Sequence, residues 1–130
     1  MVNLFVYGSY LPNIKELARK HERDVTPRHI YGIYEWAILR GYARIWPKNL
    51  KYPFMIKAEG HEIDGVVYYN ITEKYLKEID YVEGHPSYYK RVKVKVITES
   101  GKEIEAHAYM GNAVVREHEW TWDDELSHIR

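Results

Sequence analysis

The sequence predicts a single α+β domain, and three features carry the prediction. Residues 88–110 alternate between apolar and polar side chains on either side of Glu99-Ser100-Gly101, the pattern of a β-hairpin. Residues 71–83 carry apolar side chains at helical spacing, with Thr72 as a starting signal and Gly84 as a stop. Val2–Val6, apolar but for Asn3, reads as a short buried strand, and the turn residues of "YGSYLPN" follow it directly. A chain of 130 residues fits one domain and can bury one sizeable core without disulfide or metal staples. No linker, repeat or low-complexity segment divides residues 1–130.

Taken in order, the first strand gives way to a helix started by Pro12-Asn13. Its inner face is Ile14, Leu17, Ala18 and His21; Lys15, Glu16, Arg19 and Lys20 face water. Thr26-Pro27 marks a loop. Ile30 to Trp46, aromatic and β-branched, reads as two short strands or one bent strand with a bulge at Gly41. Phe54 to Ala58 and Ile63 to Asn70 read as strands joined by a turn at Glu59-Gly60-His61. In the hairpin, Gly101 suits the left-handed position of a three-residue loop. That loop sets Lys95 opposite Glu105, Lys93 opposite His107 and Arg91 opposite Tyr109, with Val92, Val94 and Val96 facing Ala108, Ala106 and Ile104. The tail, residues 111–130, carries Trp120 and Trp122, which are too apolar for a solvated tail. It is expected to pack on the domain or on a partner subunit, so a homodimer is a candidate assembly.

Composition narrows the function classes. The 19 basic residues balance the 19 acidic ones, which argues against a general nucleic-acid or anionic-membrane binder. "KRVKVKV" reads as the solvated face of the hairpin. With no cysteine, disulfides, thiolate zinc sites and a cysteine nucleophile are excluded. His61, His85, His107 and His118 are not spaced as a zinc-binding helix, and no metal site is expected. Ser9 lies in no nucleophile elbow. No run approaches the ~18 apolar residues of a membrane span, and the N-terminus does not resemble a signal peptide. Together with the missing cysteines this favours the cytoplasm, and the lack of Cys and Gln suggests a thermophile.

One carboxylate sits on the expected core stripe. Leu76, Ile79 and Val82 define that stripe, and Glu83 lies four residues from Ile79 and seven from Leu76. Lys74, Lys77, Glu78 and Asp80 supply the solvent face. Either the helix frays and Glu83 turns to water, or Glu83 points inward. In the second case burial and the negative helix end both raise its pKa, which suits general acid/base work. Arg91 is a candidate partner for it.

Several segments match a known pattern. "FVYGSYLPN" resembles the N-terminal "YGSL" or "YGTL" loop of the γ-glutamylcyclotransferase-like (AIG2-like) family. "IDYVEGHPSYYKRVKVKV" resembles that family's "LDxxEG…YxRxxVxV" segment, and "YPFMIKAEGHEIDGVVYYNIT" and "AHAYM" fall between and after them in family order. The resemblance covers roughly Val2 to Met110. It implies a small mixed β-barrel with peripheral helices and a ligand cavity at one mouth. It also implies conversion of a γ-glutamyl amine or peptide to 5-oxoproline and the free amine. On that basis Tyr7, Gly8, Ser9 and Tyr10 would bind the glutamyl part and Glu83 would be the acid/base residue, with no cofactor or metal. The chain departs from the family at Tyr10, where a smaller residue is usual. Tyr10 motivates the alternative of a catalytically silent barrel of the same fold that binds a small ligand.

Overall fold

The computed structural model describes residues 1–48, 50–85, 87, 89–111 and 120–122. Its elements run β1 (Val2–Val6), α1 (Ile14–Arg19), β2 (Tyr34–Pro47), β3 (Phe54–Ile71), α2 (Glu73–Glu83), β4 (Tyr89–Thr98), β5 (Glu103–Gly111) and β6 (Trp120–Trp122). The strands lie in the order β3-β1-β5-β4-β2-β6, and β2 also pairs with β3. Strands β1 to β5 therefore close into a barrel, with the two helices outside it. β1 runs parallel to β5 and antiparallel to β3. The β2–β4 seam is short, pairing Ala37 with Thr98 and Ile38 with Ile97.

Period-two alternation explains how this sheet buries both faces. Along β1, Phe5 joins Ala37 and Leu39, Met55 and Val67, Val94 and Val96, and Ala106 and Ala108 in one cluster. All five barrel strands contribute to it, so it fills the barrel interior. Leu4 and Val6 point the other way, into a second cluster with Ile14 and Ala18 of α1 and Leu76 and Ile79 of α2. Each fully buried side chain of this size contributes about 1.5–3 kcal/mol. β1 is apolar on the consecutive residues Leu4, Phe5 and Val6 because neither face meets water there. Gly65 of β3 permits its close approach: a Cβ there would lie 2.5 Å from the Val6 carbonyl oxygen.

The hairpin register matches the prediction pair for pair, from Arg91↔Tyr109 to Val96↔Ile104. Gly101 takes a φ of 86°, the left-handed turn conformation. Ile30 to Trp46 resolves as one bent strand preceded by irregular chain, with a register break at Gly41, whose φ is 84°. The predicted turn at Glu59-Gly60-His61 is corrected. Lys57 pairs with Tyr42 and Glu62 with Arg40, so both arms of β3 pair with β2 and the chain does not reverse. The glycine there permits an outward bulge (φ 84° at Gly60) within one long strand. In the tail, Trp120–Trp122 pairs antiparallel with Ile45–Pro47 at the end of β2. The rest of the predicted tail, 112–119 and 123–130, and Tyr88 at the predicted hairpin start lie outside the described residues.

Candidate active site

The loop after β1 and the end of α2 meet at one mouth of the barrel. Leu11 N–H donates to the Gly8 carbonyl at 2.8 Å, which closes the chain into a turn. Tyr7 is held at both ends. Its hydroxyl donates to the Tyr109 carbonyl, and its own carbonyl accepts from Arg44 Nε at 2.9 Å. Arg44 is itself buried in the barrel wall and bonds the Asp64 carbonyl. Sequence reading passed over it; the available signal was an arginine inside the apolar stretch "YARIWP". Ser9 and Tyr10 are buried, and the Ser9 carbonyl accepts from Arg28 N–H at 2.8 Å. Among the described residues, the amides of Gly8, Ser9 and Tyr10 donate to no protein acceptor.

Helix α2 delivers the carboxylate. Thr72 caps its start by accepting from Tyr75 N–H at 3.1 Å. Gly84, with a φ of 68°, stops it; His85 N–H closes onto the Asp80 carbonyl at 2.9 Å. This stop keeps Glu83 helical and directs its side chain inward, where it is 12% exposed. Two expectations about this helix are corrected. Val82 is 49% exposed, at the rim and not in the core, because the stripe turns outward as the helix ends. Asp80 faces the domain and not solvent: its carboxylate accepts from Tyr109 Oη at 2.6 Å and Arg91 Nε at 2.9 Å. Arg91 is therefore committed to Asp80. The cation beside Glu83 is Arg28, at 3.8 Å.

A cavity of about 90 Å³ lies between these parts. Tyr7, Gly8, Ser9, Tyr10 and Glu83 all line it, together with Arg28, Tyr52, Pro53 and Tyr109. The structure thus brings the expected loop residues and Glu83 to one cavity, and leaves the expected partner Arg91 outside its lining. The roles of Arg28, Tyr109 and Asp80 were not foreseen, because their neighbours come from distant parts of the chain. A Cβ at Gly8 would meet only Pro53, at an ordinary 3.6 Å, so internal packing does not require the glycine.

Burial dominates the electrostatics. It pushes the Glu83 carboxyl from the usual 4.5 up to about 7, while Arg28 pulls the other way. Burial first, and Glu83 second, raise the Tyr10 phenol to about 12 and push Tyr7 well above its ordinary value. The Tyr109 phenol is also raised, by burial and then by its bond to Asp80. The tyrosines therefore stay neutral hydrogen-bonding walls near pH 7, and Glu83 is the cavity group poised to exchange a proton.

A closed small barrel holding a near-neutral carboxylate against a backbone loop defines a site for a compact polar ligand. Residues 4–125 match the family described as gamma-glutamyl cyclotransferase, AIG2-like, and the chain belongs to that family. A Methanocaldococcus jannaschii protein provisionally named a gamma-glutamylcyclotransferase is 49% identical over 59 residues, covering 44% of this chain and 48% of its own. The chain spans about half the length of such sequence relatives, or 60% for the Arabidopsis thaliana protein AIG2 C. The solution structure of an Arabidopsis thaliana protein superposes with a TM-score of 0.70 at 27% identity, covering 98% of this chain and 80% of the other. A structure titled gamma-glutamyl cyclotransferase shares the fold, with a TM-score of 0.65 at 23% identity over 92% of this chain and 69% of that one. No helix among the described residues is long and apolar enough to cross a membrane.

Proposed function

We propose that the protein cyclises a γ-glutamyl amine or peptide to 5-oxoproline and releases the free amine, with Glu83 as general acid/base. One observation carries the reading: the buried Glu83 carboxylate and the loop from Tyr7 to Tyr10 line the same cavity. The substrate's α-nitrogen attacks its own γ-carbonyl carbon; that C–N bond forms and the bond to the departing amine breaks. The ammonium sheds two protons and keeps one in the ring, and the leaving nitrogen takes up both. Glu83, with a pKa near 7, accepts a proton at one stage and returns it at the other. The reaction is intramolecular, so the protein's main task is to fold the substrate into a reactive pose. The amides of the Gly8–Tyr10 loop, unpaired among the described residues, would stabilise negative charge on the γ-carbonyl oxygen.

The test is 5-oxoproline release from a panel of γ-glutamyl compounds. Glu83→Gln is expected to lower turnover by about 10²- to 10⁴-fold, the usual worth of a positioned acid/base. Full turnover by that variant would remove Glu83 from the mechanism. A silent ligand-binding barrel would instead bind a γ-glutamyl compound equally well in both forms and release nothing from either.

A further inference from the structure

We propose that Arg28 recognises the free α-carboxylate of the glutamyl group, exchanging its contact with Glu83 for the substrate. The inference rests on the cavity being a γ-glutamyl site, and it names the residue that distinguishes a substrate with the α-carboxylate from one without it.

Arg28 is the one cation among the described residues lining the cavity. The other two nearby arginines are already committed: Arg44 to Tyr7 and Asp64, and Arg91 to Asp80 and His107. Arg28 is anchored through its backbone to Ser9, and its guanidinium sits over the Tyr52 ring, 5.3 Å from the centroid. Tyr52 is in turn held by its hydroxyl, which donates to the Thr26 carbonyl at 3.1 Å. The Arg28 root and stacking platform are therefore fixed.

Among the described residues its donors are not satisfied. The Glu83 contact, at 3.8 Å, is longer than a hydrogen bond, and among the described residues the guanidinium makes no side-chain hydrogen bond. A planar fork with unfilled donors at a cavity wall suits bidentate binding of a carboxylate.

The geometry also explains why Arg28 and Glu83 stand near one another without closing. An α-amino acid head carries an ammonium and a carboxylate two bonds apart on one carbon. A guanidinium and a carboxylate separated by 3.8 Å offer the complementary pair. The substrate carboxylate would draw Arg28 away while its ammonium takes Arg28's place beside Glu83. Glu83 then loses its cation as the proton donor arrives, which favours transfer of the proton to it. With the carboxylate assigned to Arg28, the loop amides are left for the γ-carbonyl oxygen.

Two compounds and two variants test this. A γ-glutamyl amine is compared with the 4-aminobutyryl amine, which lacks only the α-carboxylate. Binding of the corresponding cyclic products, 5-oxoproline and 2-pyrrolidinone, is measured by calorimetry. In the parent protein the carboxylate should improve KM and product affinity. Arg28→Gln is expected to raise KM for the γ-glutamyl amine by about 10- to 100-fold, the loss of a charged hydrogen bond, with kcat changed much less. It should bind the two cyclic products alike, and Arg28→Lys should recover part of the discrimination. The Arg28 side chain is 37% exposed, so neither variant should lower the melting temperature appreciably. Parent-like KM and discrimination in Arg28→Gln would overturn the proposal. So would a parent protein that binds 2-pyrrolidinone as tightly as 5-oxoproline. If the parent turns over no γ-glutamyl compound, the enzyme reading fails, and product binding still decides the role of Arg28.

Discussion

Replacing Glu83 by glutamine should make the protein more stable at neutral pH while it sharply lowers turnover. The folded state holds the Glu83 pKa at about 7 against an ordinary 4.5, chiefly through burial. A carboxyl raised in the folded state binds its proton more tightly there than in the unfolded chain. Its ionisation therefore costs nothing below about pH 4, costs progressively more as pH rises from 4.5 to about 7, and levels off above that. At 1.36 kcal/mol per pH unit the full cost is roughly 3 kcal/mol. Glutamine carries no charge at any of these pH values. The stability advantage of Glu83→Gln should thus grow from near zero at pH 4 to roughly 3 kcal/mol at pH 8, or about 10 °C in Tm for a domain of this size. Urea unfolding of both proteins at several pH values measures it. A stability difference that does not change between pH 4 and 8 would refute the argument from burial. A variant less stable than the parent at pH 8 would show that Arg28 more than offsets the burial cost.

Three other outcomes follow from the same geometry. The pH profile of kcat/KM should show an acidic limb near pH 7, where free Glu83 ionises, and Glu83→Gln should lack that limb in its residual activity. Asp80→Asn removes charged bonds to Arg91 and Tyr109 at the foot of α2; it should cost about 2 kcal/mol in denaturant unfolding and lower kcat more than it raises KM. Gly65→Ala forces a Cβ to within 2.5 Å of the Val6 carbonyl oxygen and also onto the Phe5 ring; it should cost about 3 kcal/mol, seen as a lower Tm or loss of soluble protein.

Local pattern and distant contact divide the protein between them. The hairpin register was readable because strand alternation and one left-handed glycine admit a single in-phase pairing. Helix α2 was readable from Thr72 and Gly84, since caps are local chemistry. Helical spacing offered the inward turn of Glu83 as one of two alternatives, and the family resemblance came from short motifs in a fixed order. The turn misread at Glu59-Gly60-His61 marks the limit of such reasoning. A glycine that allows a reversal also allows a bulge, and only pairing of both arms with β2 distinguishes them. Asp80 and Val82 mark it again, because an ideal helical stripe does not show where strands β4 and β5 will meet the helix end.

The pairing of Glu83 with Arg28 shows the same division most directly. The two residues are 55 positions apart, and no local signal links an arginine after Thr26-Pro27 to the end of α2. The fold brings them within 3.8 Å, buries most of the carboxylate and supplies the cation that restrains its pKa. Sequence alone therefore specified the candidate acid/base and the loop it would serve. The folded chain selected its partner, its proton affinity and the cavity they share, because desolvation and charge proximity depend on which distant strands surround a group.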